Sequence, residues 1–259
     1  MPRIPFAVVC VVGLTLLNGT GMLAKADPVD RSGALCDRSF SPQKVFDSKS
    51  GLLSPSEVSR LNQGAQISKF VVQPSGYYIG YIFQLTKYDP KFILGLFSSC
   101  GEHAGEEGLG DFVRESRAIY AGSSEISNPF KVYYEQQVDD PYENGRYTVL
   151  NKVGRVANSQ GVESYGLDSR LIDSSDASFS PRWVDAYLRT YSMPSGTLVI
   201  ACNYMVPRGG RLWRKRFNGM AEERLKKTGE NLLRWANRVS RDGALAESYR
   251  RRLERLLKE

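Results

Sequence analysis

The chain has 259 residues, of which 41% are hydrophobic and 14 are tyrosines, and its formal net charge at pH 7 is +7. This composition excludes a globally disordered protein and supplies enough apolar side chains for a substantial core. The length fits one large domain, or one domain with extensions.

The N-terminus has the pattern of a secretory signal peptide. Arg3 supplies a positive start, residues 6–17 are almost wholly apolar, and residues 24–26 read Ala-Lys-Ala, the small-x-small motif that signal peptidase cuts. The apolar run is short for a bilayer span and is broken at residues 18–21. We therefore expect residues 1–26 to be removed and the mature protein to be exported, to the periplasm or beyond; a retained membrane anchor is the alternative.

Residues 27–53 show no hydrophobic periodicity, and we interpret them as a tail that crosses the surface. Three cysteines remain after cleavage: Cys36 in this tail, Cys100 and Cys202. An odd number allows at most one internal disulfide and leaves a thiol over. A tail of this kind gains from tethering, so Cys36–Cys100 is the preferred pair. Cys202 lies in an apolar strand pattern and is expected to be a buried thiol.

The next segment contains two predicted helices and two predicted strands. Residues 54–57 read Ser-Pro-Ser-Glu, which is typical of a helix start with an N-cap serine, a first-position proline and a capping-box glutamate. Strands are predicted at residues 70–72 and 77–87, with a Pro-Ser-Gly turn between them. Asp89 and Pro90 then open a short helical segment with an apolar stripe.

A polar, glycine-rich segment at residues 101–110 contains the only histidine, His103. A mobile loop holds a catalytic base poorly, so we expect an exposed loop histidine. Glu102, Glu106 and Glu107 surround it and offer a candidate metal site, for which a solvated acidic turn is the alternative. A second acidic turn, at residues 139–145, lacks the alternating ligand pattern of a calcium loop. We assign no metal and no cofactor.

Six further strands are predicted, and turn motifs separate several of them. They span residues 112–121, 130–138, 146–154, 162–172, 183–192 and 197–206. Because they follow each other with short connections, we expect an antiparallel, sequentially connected sheet.

Two amphipathic helices are predicted at the C-terminal end, at residues 212–239 and 245–258. Residues 207–259 carry 16 Lys and Arg against 7 Asp and Glu, whereas residues 27–206 carry 17 against 21. A basic end suits anionic lipid headgroups, nucleic acid or an acidic protein, or is a solvated helix surface. Export argues against nucleic acid.

A curved antiparallel sheet followed by a long amphipathic helix resembles the START-like superfamily, the helix-grip fold of the birch-pollen allergen and of polyketide cyclases. The most specific part of the resemblance is at residues 204–213, where a tyrosine near the end of a strand precedes a Gly-Gly turn and a helix start. The Tyr-x-Gly-x-Ile strand at 78–82, Asp89-Pro90 after it, and Trp183 are also similar to this family. Trp213 stands close to where the family usually has a proline.

The resemblance covers residues 77–239 and implies an α+β fold in which about seven antiparallel strands wrap around the long C-terminal helix. The START-like domain would span residues 54–239, followed by a basic helix at 240–259. The fold implies a cavity for a lipid or other apolar ligand between sheet and helix. The aromatic candidates for its walls, which would equally suit a filled core, are Tyr134, Tyr147, Trp183, Tyr187, Tyr204, Trp213 and Phe217.

Three functions stay open. The first is an exported protein that binds a hydrophobic small molecule or lipid and carries it to or from an anionic membrane. The basic residues available for docking are Arg211, Arg214, Lys215, Arg216, Arg250, Arg251 and Arg252. The second is a cyclase or hydratase with Asp185 or Glu135 as acid or base, although both lie in charged alternation that predicts an outward orientation. The third is an envelope interaction protein with a filled core.

Overall fold

The computed structural model describes residues 36–105, 108–110, 112–120, 126–138, 143–157, 161–209 and 214–258. Several predictions lie outside this part of the chain. They concern the signal peptide at 1–26, the site residues Arg211 and Trp213, and the candidate metal ligands Glu106 and Glu107.

Eight antiparallel strands form one open sheet, against about seven expected. They are β1 (Ile67–Val72), β2 (Tyr78–Thr86), β3 (Val113–Ile119), β4 (Phe130–Gln136), β5 (Gly145–Arg155), β6 (Ser164–Ser174), β7 (Pro181–Met193) and β8 (Gly196–Pro207). The order across the sheet is β1-β2-β8-β7-β6-β5-β4-β3. Strands β3 to β8 follow one another as neighbours, and the last of them returns to pair with β2.

Side-chain caps start the short helices where the sequence predicts. The helix α2 (Pro55–Asn62) begins at Ser54, which exchanges hydrogen bonds with Glu57 in a complete capping box. The helix α3 (Pro90–Phe97) begins at Asp89, whose carboxylate accepts a backbone N–H of the first turn at 2.8 Å. Each cap satisfies donors that have no partner within the helix, so both helix starts are confirmed.

The helices α3, α4 (Arg214–Val239) and α5 (Gly243–Lys258) cover the inner face of the sheet. One hydrophobic cluster joins them to inward side chains of β4 to β8. α5 lies so close to α3 that a Cβ atom added at Gly95 would be 2.2 Å from the Tyr249 carbonyl oxygen. The basic helix predicted at 240–259 is therefore, over its described residues, an integral part of the packed domain.

The N-terminal segment covers the opposite, outer face of the sheet. It contains α1 (Pro42–Phe46) and α2, and a second hydrophobic cluster joins it to outward side chains of β2, β7 and β8. The hydroxyls of Tyr187 and Tyr191 donate to backbone carbonyls of the segment at 2.7 and 2.9 Å. An apolar sheet face must be buried against another layer. The tail predicted at 27–53 is thus, over its described part, a third layer of the fold.

A disulfide joins Cys36 to Cys202 on β8, so the predicted pair Cys36–Cys100 is wrong, as is the free thiol predicted at Cys202. Cys100 follows α3 on the inner side of the sheet, where it is buried and free, and burial raises the pKa of its thiol to about 12. Cys36 lies on the outer face, and the sheet separates it from Cys100. The pairing depends on which face each strand residue presents, and that is a property of the assembled sheet.

Candidate functional site

A cavity of about 190 Å³ lies between the inner face of the sheet and α4. Most of its wall is apolar, and representative residues are Phe217, Leu225 and Leu232 from α4 and Ile82, Leu167 and Val184 from the sheet. An apolar cavity of about 150 Å³ holds benzene. The volume here accepts a somewhat larger apolar molecule without any movement of its walls.

The cavity exists because α4 approaches one side of the sheet more closely than the other. At β2, a Cβ atom added to Gly80 would lie 2.3 Å from Leu225 Cδ2, and one added to Gly229 would lie 2.0 Å from Gln66 Oε1. At these two glycines a neighbouring side chain approaches the backbone more closely than a larger residue would allow. Because the sheet twists and curves away from α4 beyond β2, space remains between the helix and the central strands.

The cavity is closed at one end and more open at the other. Toward the C-terminal half of α4, the lining residues Gln84, Leu188 and Leu232 are buried. Toward the N-terminal half, Met220 and Ala221 are half-buried. We therefore place the mouth of the cavity beside the N-terminal half of α4.

Arg224 bridges this mouth. Its Nη1 donates to Gln136 Oε1 at 3.2 Å, its Nη2 donates to the Gln137 carbonyl oxygen, and its guanidinium lies over the Phe112 ring at 5.6 Å. These contacts join α4 to the end of β4. Arginine pairs well with planar acceptors and aromatic faces, so these contacts hold Arg224 across the gap between the helix and the strand.

Four of the seven predicted aromatic residues border the cavity: Tyr134, Tyr147, Tyr187 and Phe217. The hydroxyl of Tyr187 nevertheless lies on the outer face, in contact with the N-terminal segment. Their role in ligand binding stays a prediction.

Trp183 and Tyr204 belong to the second hydrophobic cluster and do not border the cavity, whereas their strand neighbours Val184, Asn203 and Met205 do, so the inward orientation predicted for them is wrong. The hydroxyl of Tyr204 lies 3.1 Å from Ser75 Oγ, in the turn between β1 and β2. Side chains alternate between faces along a strand, and in β8 the inward positions belong to Asn203 and Met205. A tyrosine between them must point outward.

Several lining residues were missed because they are small or polar rather than aromatic. They include Gln84, Gln136, Asn151, Ser169, Ala201 and Asn203. The available signal was the two-residue alternation of each strand, counted from one residue known to face inward. A single sequence does not identify that first residue.

A buried polar pair lies behind the cavity wall. His103 is fully buried, with Nε2 at 2.7 Å from the Phe97 carbonyl oxygen and Nδ1 at 2.9 Å from the Tyr134 hydroxyl. Since a carbonyl can only accept, Nε2 carries the proton, and Nδ1 accepts from Tyr134. Burial lowers the pKa of His103 to about 4, so the ring is neutral at pH 7. The exposed loop histidine predicted here is wrong, because the loop folds inward against Trp235.

Two of the three arginines predicted on the polar side of the last helix bind within the domain. Arg250 forms an ion pair with Asp89 at 2.6 Å, and Arg252 donates to the Tyr120 hydroxyl. Arg251 keeps 68% of its side chain exposed. Of these three arginines, Arg251 alone is free to meet an external partner over most of its length, so α5 offers a smaller contact surface than predicted.

The start of α4 combines positive charge with exposed apolar side chains. Lys215 and Arg216 are exposed, whereas Arg214 donates to a backbone carbonyl at 3.3 Å. The edge strand β1 places Val71 and Val72 nearby, with 49% and 64% of each residue exposed. Val72, Arg214 and Lys215 border one shallow groove.

The two carboxylates considered for acid–base chemistry lie away from the cavity. Asp185 forms an ion pair with Arg38 at 2.6 Å beneath the N-terminal segment. Glu135 forms one with Arg146 at 3.1 Å on the outer side of β4 and β5. Their predicted outward orientation is confirmed.

Among the described residues, no group of three or more His, Cys, Asp or Glu side chains is placed to hold a metal ion. None of the helices in the described ranges has the length and apolarity needed to cross a bilayer.

No protein-family model matches the chain, and no curated protein matches its sequence. A solved STAR-related lipid transfer protein from Xanthomonas axonopodis is similar in structure, with a TM-score of 0.51 and 10% identity over 64% of this chain and 90% of that one. Human StAR-related lipid transfer protein 5 has a TM-score of 0.49 and 8% identity over 68% and 83%. Sequence identities as low as these show a similarity of fold and nothing about function. Together with the strand order and the long final helix, the similarity to the first of these structures shows that this chain has the helix-grip fold.

Proposed function

We propose that this protein is an exported binding protein that holds a lipid or another hydrophobic small molecule between its sheet and α4. The observation that carries the proposal is the mainly apolar cavity of about 190 Å³, bordered by Tyr134, Tyr147 and Phe217. Close-packed protein interiors rarely leave a void of this size, which argues against a filled core. Export is supported by the signal-peptide pattern and by the disulfide Cys36–Cys202, since disulfides persist in oxidising compartments.

Binding is favoured over cyclase or hydratase chemistry by the orientation of the acid–base candidates. Asp185 and Glu135 are engaged by arginines away from the cavity. The Tyr134 hydroxyl is at the wall, but it donates to His103 behind it, and burial raises its pKa. A tyrosine held in this way orients a ligand better than it transfers a proton.

The finer part of the proposal is that the protein docks on an anionic membrane through the start of α4. Lys215 belongs to the first turn of α4, and the exposed Val72 lies beside it in the same groove. We place the mouth of the cavity beside this half of α4. Each Lys or Arg near an anionic surface adds about 1 kcal/mol of attraction. Docking there would bring the mouth of the cavity close to the bilayer.

The binding proposal is tested on protein exported with its own signal sequence and purified without detergent. Native mass spectrometry followed by solvent extraction should find a stoichiometric adduct of one class of apolar compound. A clean apo mass, in protein that also fails to take up an apolar fluorescent probe, would reject the proposal. The N-terminal residue of the same sample tests cleavage after Ala26.

The docking proposal is tested by flotation with vesicles that contain anionic or only zwitterionic lipid. We expect binding to the anionic vesicles that weakens with salt and with the double change Lys215→Ser and Val72→Ser. Lys131→Ser is the control, because Lys131 is exposed on β4 and borders neither the cavity nor the groove at the start of α4. Equal loss in the control would show nonspecific attraction.

A further inference from the structure

We propose that the cavity selects an uncharged ligand with one hydrogen-bonding group, a carbonyl or hydroxyl, which binds the side-chain amide of Gln84 at the closed end. The ligand would then be an amide, ester, ketone or alcohol with an apolar body, and not a fatty acid or a plain hydrocarbon. This inference rests on the proposed binding function and specifies the ligand class.

Gln84 is a buried polar group that faces the cavity without a protein partner. It is 5% exposed and lines the cavity from β2, and its amide forms no hydrogen bond with any described residue. The nearest inward positions, Ile82 on the same strand and Val199 opposite on β8, are apolar. A buried amide with no partner is unfavourable, and a ligand that supplies the partner removes that disadvantage.

Other polar side chains of the wall are already satisfied within the protein. Ser169 donates to Asn151 Oδ1 at 2.6 Å, and the Asn151 amide donates to the Cys100 sulfur at 3.3 Å. Gln136 donates to the Tyr147 hydroxyl at 2.6 Å. Of the polar side chains that line the described part of the cavity, only the amides of Gln84 and Asn203 have no hydrogen bond within the protein, and Asn203 is half-buried and four residue positions nearer the mouth.

The closed end carries no charge that could compensate an ionised ligand. Arg224 is the one formal charge among the described lining residues, and it is engaged at the mouth. Burial raises the pKa of the Tyr134 and Tyr147 hydroxyls, which keeps both neutral. An ionised carboxylate at Gln84 would be buried without a counter-charge, which is strongly unfavourable.

The position of Gln84 also sets the orientation of the ligand. On β2, Gly80 faces Leu225 of α4, and Gln84 lies four residues further along, about 13 Å toward the closed end. The polar group would therefore lie deepest, and the apolar body would extend back toward Phe217 at the mouth.

The test measures displacement of a bound apolar fluorescent probe from the full-length protein by decanamide, decanol, decane and decanoate. We expect Gln84→Leu to weaken decanamide and decanol about tenfold, because the hydrogen bond is lost, and to leave decane equal or tighter. Gln63→Leu, the same change at an exposed glutamine outside the cavity, should leave all four within about threefold. Gln84→Met replaces Gln84→Leu if thermal unfolding shows that the leucine variant misfolds.

Two results would overturn this inference while leaving the binding function intact. One is unchanged decanamide and decanol affinity in the Gln84 variants. The other is decanoate as the tightest ligand of the wild type. If the wild-type protein takes up no probe at all, the proposed function itself fails, and the ligand class fails with it.

Discussion

Reduction of the Cys36–Cys202 disulfide should destabilise the protein strongly. The two cysteines are 166 residues apart, and the chain entropy that a loop of this length removes from the unfolded state corresponds to about 5 kcal/mol at 25 °C. In the folded state the N-terminal segment keeps other anchors, including the Arg38–Asp185 ion pair at 2.6 Å and the Tyr187 hydroxyl. Reduction should therefore act mainly through the unfolded chain and leave the segment docked.

The assay is urea unfolding of oxidised and reduced protein, followed by tryptophan fluorescence. The double variant Cys36→Ala and Cys202→Ala should behave like the reduced wild type. Cys100→Ala is the control, since Cys100 forms no disulfide, and its loss removes a small buried group and the sulfur that accepts from the Asn151 amide, for about 1–2 kcal/mol.

The reasoning fails if oxidised and reduced protein differ by less than about 1 kcal/mol in unfolding free energy, which is below the lowest value usual for native disulfides. It also fails if peptide mapping under non-reducing conditions finds Cys36 free or joined to Cys100.

Three further predictions concern the core and the cavity. Burial lowers the pKa of His103 from 6.5 to about 4 in the folded state. The contribution of the neutral ring to the free energy of unfolding should therefore be complete above pH 6.5, and about 3 kcal/mol of it should be lost as the pH falls toward 4. Urea unfolding against pH should show this slope, and an equal slope in His103→Gln would contradict it. Gly95→Ala should lower the melting temperature, because its Cβ would meet the Tyr249 carbonyl oxygen at 2.2 Å, whereas Gly219→Ala, with open space around it, should raise stability by about 0.5–1 kcal/mol. The opposite order in thermal unfolding would refute the close approach of α3 and α5. Ala201→Leu should fill part of the cavity and reduce probe uptake with little change in melting temperature, and unchanged uptake would place the binding site elsewhere.

Local features of the chain were predicted well because their causes are local. Ser54 and Asp89 cap helices whose first-turn N–H groups lie within three residues of them. The strands β3 to β8 were found from alternation and turn residues, and the long α4 from its apolar stripe. The order of these elements was enough to indicate the helix-grip fold, since a curved sheet with an apolar inner face requires a helix to cover it.

The features that decide function depend on which face of the sheet a residue occupies, and only the assembled structure shows that. Tyr204 and Asn203 are adjacent in sequence, yet one packs in the second hydrophobic cluster and the other borders the cavity. The same alternation places Cys202 beside Cys36 on one face and Gln84 in the cavity wall on the other. A shift of one residue in strand register reverses every such assignment, and register is set by pairing between strands that are far apart in the chain.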